Sequence, residues 1–372
     1  MTWMIRVALV VACLTLTLGN GFAEATEGSA GAVYTETNSP AGNVVLVFDR
    51  AADGALTAAG AFSTGGFGTG GGLGNQGAVV LTENERWLIV VNAASHDVSV
   101  FAAEANGLRH VGNTPSGGRR PISVAVHGKL VYVLNAGGAV GDADNITGFV
   151  LDDGYLTPLA GSTRPLSGNA TGPAQVAFRP DGRVLVVTEK TTNTIDTYTV
   201  GQDGMATGPN VSLAAHPTPF GFAFGKRDQV FVSEAGGGPD ASAVSSYLVA
   251  DDGGLQVITP AAATTETAAC WVVVTPDGRF AYTTNTGSGS ISGYRIAFDG
   301  ELSLLDEDGR TGVTGAGSRP IDMALSRDGR FVYTLNSGNG TLSAFSVRVK
   351  GSLSPRPGVL GIPAGSNGLA AR

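Results

Sequence analysis

The chain has 372 residues, of which 15% are charged, with a net charge of −8 at pH 7. An acidic surface repels phosphate backbones, which argues against nucleic acids and anionic membranes as partners. The two cysteines are Cys13 and Cys270. Because Cys13 lies in a segment that we expect to be removed, Cys270 has no intrachain disulfide partner and the fold must depend on its core.

The N-terminus has the features of a secretory signal peptide. Arg6 precedes an apolar stretch over residues 7–18, and Ala23-Glu24-Ala25 has the small residues of a cleavage site. The apolar stretch is shorter than the roughly 20 residues that a membrane span needs. We therefore expect cleavage near Ala25, export to the periplasm or medium, and a single domain over residues 26–372 without a membrane span; a retained membrane anchor is the alternative.

The rest of the sequence is one repeat, in which an apolar strand, a "PDGR"-type turn, a "VYVxN" strand, a "TISxY" strand and "DGxLT" follow one another. One copy is "VAFRPDGRVLVVTEKTTNTIDTYTVGQDG" from Val176, and another begins at Val272. A period near 50 residues with four short strands per unit is typical of a propeller blade, and each Asp-Gly pair suits a tight hairpin. The second strands end at seven polar residues: Asn38, Asn92, Asn135, Glu189, Glu234, Asn285 and Asn336.

These seven positions predict an all-β, seven-bladed propeller. The first unit starts at its second strand, and the C-terminal "SNGLAA" resembles a first strand. We therefore expect residues 366–371 to pair with residues 33–38 and to supply the innermost strand of blade one. That closure removes an open edge and fixes the two chain ends together.

Two consecutive blades carry glutamate where the others carry asparagine. Glu189 and Glu234 should lie side by side near the mouth of the central channel, where repulsion would raise one pKa, as in a general acid or base. The alternative is that each carboxylate pairs with a base such as Lys190 or Arg227, or faces water.

Further polar residues are expected at the same rim. Arg120 and His216 precede first strands, whereas Gln175 and Asp322 open them towards the channel. The shared Arg-Pro register of Arg120 and Arg319 favours a structural role for these arginines.

Other motifs are weaker. The Gly-rich stretch over residues 65–77 lacks the features of a phosphate-binding loop and is expected to be a flexible rim loop. Asp142 and Asp144 in "GDADN" have the acidic spacing of a calcium loop without the rest of that motif, so Ca²⁺ there stays open. Cys270 begins an inner strand and is expected to be a buried apolar residue. No cofactor or metal is expected.

The units "PDGRxxYxxN…TISxY…DGxLT" and the closing "GLAA" resemble the seven-bladed β-propeller lactonase family over residues 32–372. The resemblance implies lactone chemistry by a histidine, two arginines and a glutamate. Glu234 matches that glutamate, but Ala174, Phe220 and Thr286 occupy the other three positions. The resemblance therefore implies a mouth made partly apolar by Phe220 and Trp271.

Two functions follow as hypotheses. In the first, the protein hydrolyses a small lactone or ester, with Glu234 as base, Glu189 as its partner and Arg120 or His216 at the oxyanion; Phe220, Gln175, Trp271 and Asp322 would contact the substrate. In the second, it is a non-catalytic propeller that recognises a polysaccharide, a cell-envelope component or a protein. A monomer is expected in both cases.

Overall fold

The computed structural model describes residues 29–372, and the predicted signal segment lies outside them. In the described part, the regular structure is β-strand apart from one short 3-10 segment, Gly137–Val140. The strands form seven antiparallel sheets, and each innermost strand contacts that of the next sheet around a ring. The predicted seven-bladed propeller is therefore confirmed.

Each blade has four strands numbered from the axis outwards, and in blades three and six the outermost strand is in two pieces. Blades one to three contain β30 (Asn367–Ala371), β1 (Gly31–Glu36), β2 (Val44–Arg50) and β3 (Leu56–Ser63); β4 (Val79–Leu81), β5 (Trp87–Asn92), β6 (Asp97–Glu104) and β7 (Gly107–Pro115); and β8 (Pro121–His127), β9 (Leu130–Ala136), β10 (Asp144–Asp152), β11 (Tyr155–Pro158) and β12 (Arg164–Pro165).

The remaining blades follow the same order. Blades four to seven contain β13 (Pro173–Phe178), β14 (Val184–Glu189), β15 (Thr194–Val200) and β16 (Ala206–Leu213); β17 (Pro219–Phe224), β18 (Gln229–Glu234), β19 (Ala243–Val249) and β20 (Leu255–Ala263); β21 (Ala269–Val274), β22 (Phe280–Asn285), β23 (Ser290–Ile296), β24 (Leu302–Leu304) and β25 (Gly312–Val313); and β26 (Pro320–Leu325), β27 (Phe331–Asn336), β28 (Thr341–Val347) and β29 (Leu353–Leu360).

The C-terminal strand closes the ring as predicted. β30 pairs antiparallel with β1, with Val33 opposite Ala371 and Glu36 opposite Asn367. The backbone N–H of Arg372 also donates to the carbonyl of Ala32 over 2.9 Å. Both chain ends are thus held in the innermost part of blade one, which leaves neither edge open.

The register of β1 corrects one sequence assignment. In blade seven the residue opposite the first inner-strand residue, Pro320, is Asn336. In blade one the equivalent residue, opposite Asn367, is Glu36 and not Asn38. Asn38 belongs to the following loop, where it adopts a positive φ of 47°. Three blades therefore end their second strand with glutamate.

Neighbouring blades are joined by the same tyrosine and turn glycine that recur in the sequence. The hydroxyl of Tyr333 donates to the carbonyl of Gly54 in the next blade's outer hairpin, and that of Tyr282 donates to Gly351. Gly54 has a φ of 91°, and a Cβ there would lie 2.2 Å from the ring of Phe331. The glycine is therefore needed both for the turn and for contact between the blades.

Replacing Gly54 with alanine should destabilise the protein by about 2–4 kcal/mol, because the new methyl group meets both an unfavourable φ and an aromatic ring. Urea unfolding measures the difference. Gly71→Ala is the matched control, since nothing lies within 4 Å of its Cβ position. Equal stability of the two variants would contradict this account of the blade contact.

Candidate functional site

The Gly-rich stretch over residues 65–77 closes the channel mouth and is not a free rim loop. Its end, residues 73–77, is called the plug here. The indole Nε1 of Trp271 donates to the carbonyl of Asn75 over 2.6 Å, and the N–H of Gln76 donates to Ala174 over 3.0 Å. The N–H of Val124 donates to Gly77. The plug thus contacts the inner strands of blades three, four and six.

The plug is held because inner strands lack a partner on their axial edge. Gln76 donates its Nε2 to the carbonyl of Val272 over 2.8 Å and accepts the N–H of the same residue over 3.1 Å. Gln175 makes the same pair of bonds with Phe222, over 3.0 and 2.7 Å. A glutamine amide used in this way replaces the neighbouring peptide that a paired strand would provide.

Lys190 fixes the plug from the rim side. Its Nζ donates to the carbonyls of Gly74 and Pro173, both over 2.6 Å, and lies 4.9 Å from the ring centre of Phe220. Burial lowers the pKa of Lys190 to about 8, and the charge of Arg120 acts in the same direction. The amine is therefore a structural donor in the described part of the chain and forms no ion pair with Glu189.

Beneath the plug the predicted mouth residues form an apolar layer. The rings of Phe220 and Trp271 lie 4.9 Å apart, and both side chains are buried. Ala174 and Cys270 belong to the same cluster. Burial raises the pKa of the Cys270 thiol to about 11. The thiol is therefore protonated at neutral pH.

Glu234 is enclosed within blade five. Its carboxylate accepts the backbone N–H of His216 over 3.0 Å, the hydroxyl of Ser245 over 2.5 Å and that of Tyr247 over 3.2 Å. Burial raises the pKa of Glu234 to about 7, although these hydrogen bonds act in the opposite direction. The side chain has no exposed surface.

Glu189 has a different environment in blade four. Ser167 donates to it through both its N–H and its hydroxyl, and Thr192 and Thr194 donate through theirs. Burial alone would raise the pKa of Glu189, but the hydrogen bonds from Asp196, Ser167 and Thr192 outweigh it and hold the pKa below its ordinary value.

Asp196 shares a proton with Glu189. Burial, together with hydrogen bonding and repulsion from Glu189, raises the pKa of Asp196 to about 8. Asp196 is therefore the protonated member of the pair at neutral pH. The pH response of blade four follows from this carboxyl–carboxylate contact within one blade.

The two strand-end glutamates have no common hydrogen-bond partner among the described residues, and neither lines the central cavity. Each occupies the position that asparagine occupies elsewhere. Asn336, for example, donates to Thr341 and Ser343 on the third strand of its own blade. Glutamate accepts hydrogen bonds at the same point, so the residue type follows the hydrogen-bonding groups around it.

Arg120 and His216 are set in strained or enclosed loops. Arg120 has a φ of 57° and its N–H donates to Nδ1 of His96 over 3.1 Å. Arg319 has a φ of 51°, which agrees with one structural role for both Arg-Pro pairs. His216 contacts Glu234 through its backbone, and its Nδ1 is buried without a partner.

The axial cavity has a volume of about 390 Å³ and extends from Gln76, Gln175 and Asp322 to the inner-strand ends that lead into the "DGR" turns. Val80, Ala177 and Leu325 are among its wall residues. Since Gln76 belongs to the plug, the cavity is closed at the predicted mouth.

The remaining metal candidate is an ordinary loop contact. Asp144 is buried and accepts the N–H groups of Gly138 and Thr171, and also the Thr171 hydroxyl. Asp142 accepts the N–H of Ala143. Within residues 29–372 no group of three or more His, Cys, Asp or Glu side chains is arranged to hold a metal ion.

Residues 241–364 match the family model described as "Lactonase, 7-bladed beta-propeller". The predicted resemblance to the seven-bladed β-propeller lactonase family is confirmed. The matched range runs from the third strand of blade five to the end of blade seven. No match was found among curated proteins.

Solved structures with the same fold cover nearly the whole chain. The periplasmic gluconolactonase PpgL of Pseudomonas aeruginosa is 16% identical, with a TM-score of 0.69 over 91% of this chain and 98% of that chain. A candidate 6-phosphogluconolactonase from Bacteroides uniformis has 19% identity, a TM-score of 0.69 and the same coverage. A Lactobacillus plantarum protein has 17% identity and a TM-score of 0.71 over 92% and 99% of the two chains. At these identities the likeness shows the fold alone.

The sequence analysis missed Lys190 as a plug contact, Asn75 and Gln76 as its polar end, and Asp196 as the partner of Glu189. A polar "NQ" pair directly before an inner strand was the available signal for the plug. For Asp196 the signal was its place on the third strand, two residues after Thr194, since Ser343 follows Thr341 in the same way beside Asn336.

Asp196→Asn should stabilise the protein most at high pH. The unfolded carboxyl ionises near pH 3.9, so wild type loses stability as pH rises from about 4 to 8, whereas asparagine keeps a donor for Glu189 without ionising. We expect a gain of roughly 2 kcal/mol at pH 8 that vanishes near pH 4, after discounting for solvent response. Urea unfolding across this range measures it.

Asp49→Asn, at a half-buried acid on β2, is the control and should leave the slope of stability against pH unchanged. A wild-type slope in the Asp196 variant would contradict the shared proton.

Proposed function

We propose that this protein binds a small molecule in its central channel and does not catalyse lactone hydrolysis at the rim. The observation that carries the proposal is the closed mouth, where Gln76 pairs with Val272 and Trp271 bonds to Asn75. The same plug covers Phe220, where the resembled family has an arginine. A substrate at this rim would have no cavity to enter.

The chemistry of the rim supports the same conclusion. Of the four functional positions that the resemblance implies, Ala174, Phe220 and Thr286 carry no charge. The remaining group, Glu234, is surrounded by hydrogen-bond donors and has no exposed surface. A general base needs to reach the proton that it removes, either directly or through one water.

The axial cavity is the binding site in this proposal. Its volume of about 390 Å³ lies in the range of small-molecule pockets, whereas a polymer would need a longer groove. Ala177 and Val80 supply apolar walls, and the free edges of the inner strands supply backbone donors and acceptors. These features suit a compact molecule with several hydroxyl or carboxyl groups, such as a sugar acid.

We further propose that the protein is exported and acts outside the cytoplasm. The signal-like residues 1–25 support this, and one structural neighbour is named as a periplasmic protein. Within residues 29–372, no helix has the length and apolar character that crossing a membrane requires.

Hydrolysis of a lactone or ester is the second candidate function. It is supported by the pKa of Glu234, which burial brings to about 7 and thus into the range of a general base. In this alternative Glu234 activates water, with Glu189 as its partner and Arg120 or His216 at the oxyanion. Gln175, Trp271 and Asp322 would line the substrate site after displacement of the plug.

A lactone assay separates the two functions. Wild type with glucono-δ-lactone should give the spontaneous hydrolysis rate, and Glu234→Gln should give the same rate. Release of acid is followed with a pH indicator. A wild-type rate at least tenfold above the buffer rate, lost in Glu234→Gln, would establish the second candidate in place of the first.

Binding is tested with D-gluconate as the probe, by saturation-transfer NMR. Ala177→Phe should abolish the signal, because the larger side chain fills the channel wall. Ala58→Phe, on the exposed face of outer strand β3, is the control and should bind like wild type. Equal binding by both variants would place the ligand elsewhere, and no binding by wild type would reject a sugar acid as the ligand.

A further inference from the structure

Two acidic side chains flank the strand that closes the ring. Glu36, at the end of β1, lies opposite Asn367 on β30. Asp322, on the inner strand of blade seven, accepts the N–H of Leu369 on the same strand. One acid is therefore on the paired edge of β30 and the other is on its axial edge.

Each of these acids is buried and leaves one oxygen without a partner. Glu36 is 0% exposed and Asp322 is 1% exposed. Oε2 of Glu36 accepts the Asn43 amide over 2.6 Å, and Oδ1 of Asp322 accepts the N–H of Met323 over 2.7 Å. The other oxygens, Oε1 of Glu36 and Oδ2 of Asp322, have no hydrogen bond. Buried polar atoms in proteins are rarely left in this state.

No positive side chain balances the two acids. Among the described residues, no lysine, arginine or histidine lies within 4.0 Å of either carboxyl group. Burial raises the pKa of both, and Asp322 raises that of Glu36 further, which places the two groups in one electrostatic environment. The Glu189–Asp196 pair differs, because there the proton of one acid has an acceptor.

Two amides complete the surroundings. The Nδ2 of Asn367 donates to Oδ1 of Asn75 over 2.9 Å, so the tip of the plug reaches the same end of β30. Glu36, Asp322, Asn75 and Asn367 thus bring only oxygen and amide groups together. Such groups are ligands for hard cations and not for zinc or copper.

We propose that Glu36 and Asp322 bind a calcium ion where the C-terminal strand, blade seven and the plug meet. Two carboxylates balance a divalent charge. The enclosed site suits Ca²⁺ better than Mg²⁺, because Mg²⁺ gives up its water ligands reluctantly. The ion satisfies the two free oxygens and joins the two chain ends to the plug. This site is independent of whether the protein is a catalyst or a binding protein.

The test uses the mature protein stripped with EDTA and then titrated with CaCl₂, with calorimetry giving stoichiometry and thermal unfolding giving stability. We expect one Ca²⁺ per chain, a higher Tm with Ca²⁺, and at least tenfold weaker binding of Mg²⁺. Glu36→Gln and Asp322→Asn, which preserve shape, should each weaken Ca²⁺ binding at least tenfold.

Two variants serve as controls. Asp196→Asn removes a buried acid from blade four, and Asp142→Asn removes the exposed acid of the "GDADN" loop; both should bind Ca²⁺ like wild type. Absence of Ca²⁺ binding by wild type would overturn the proposal, as would binding that Glu36→Gln and Asp322→Asn leave unchanged. Loss of binding in Asp142→Asn alone would assign the ion to that loop instead.

Discussion

The innermost strands of this propeller are paired on one side only, and their free edges converge on the axis. Backbone N–H and C=O groups at such edges need partners. Here Gln175 provides them for Phe222, and Gln76 does so for Val272 from a segment that belongs to another blade. Satisfying these edges brings the Gly-rich segment across the channel mouth, and the other properties of the rim follow from that position.

One consequence is that the rim has lost the environment that chemistry requires. Lys190 is occupied by two backbone carbonyls, and Phe220 and Trp271 are covered. Glu234 has an elevated pKa, yet burial alone is its main cause. A perturbed carboxyl can therefore be part of a blade's interior, as the Glu189–Asp196 pair also illustrates. Access to the axis remains through the cavity that extends towards the "DGR" turns.

Much of the fold could be predicted from the sequence because it depends on local repetition. The period, the Asp-Gly turns and the closing "GLAA" predicted the blades and the pairing of β30 with β1. The strand end of blade one was misassigned, because "TETN" offers two polar residues and only the register separates Glu36 from Asn38. The plug could not be predicted, since Asn75 and Gln76 bond to groups almost 200 residues away in Trp271 and Val272. Whether the predicted catalytic and binding residues act on a substrate stays a prediction.

Residue-resolved hydrogen exchange of the native protein tests the closed mouth most directly. The amides of Gln76, Val124 and Val272 each donate within or to the plug. They should exchange as slowly as amides in the middle strands of the blades, because opening them requires loss of inner-strand contacts. Exchange as fast as at the exposed residues Gly71 and Gly72 would mean that the mouth is open in solution, and the account of the rim would be wrong.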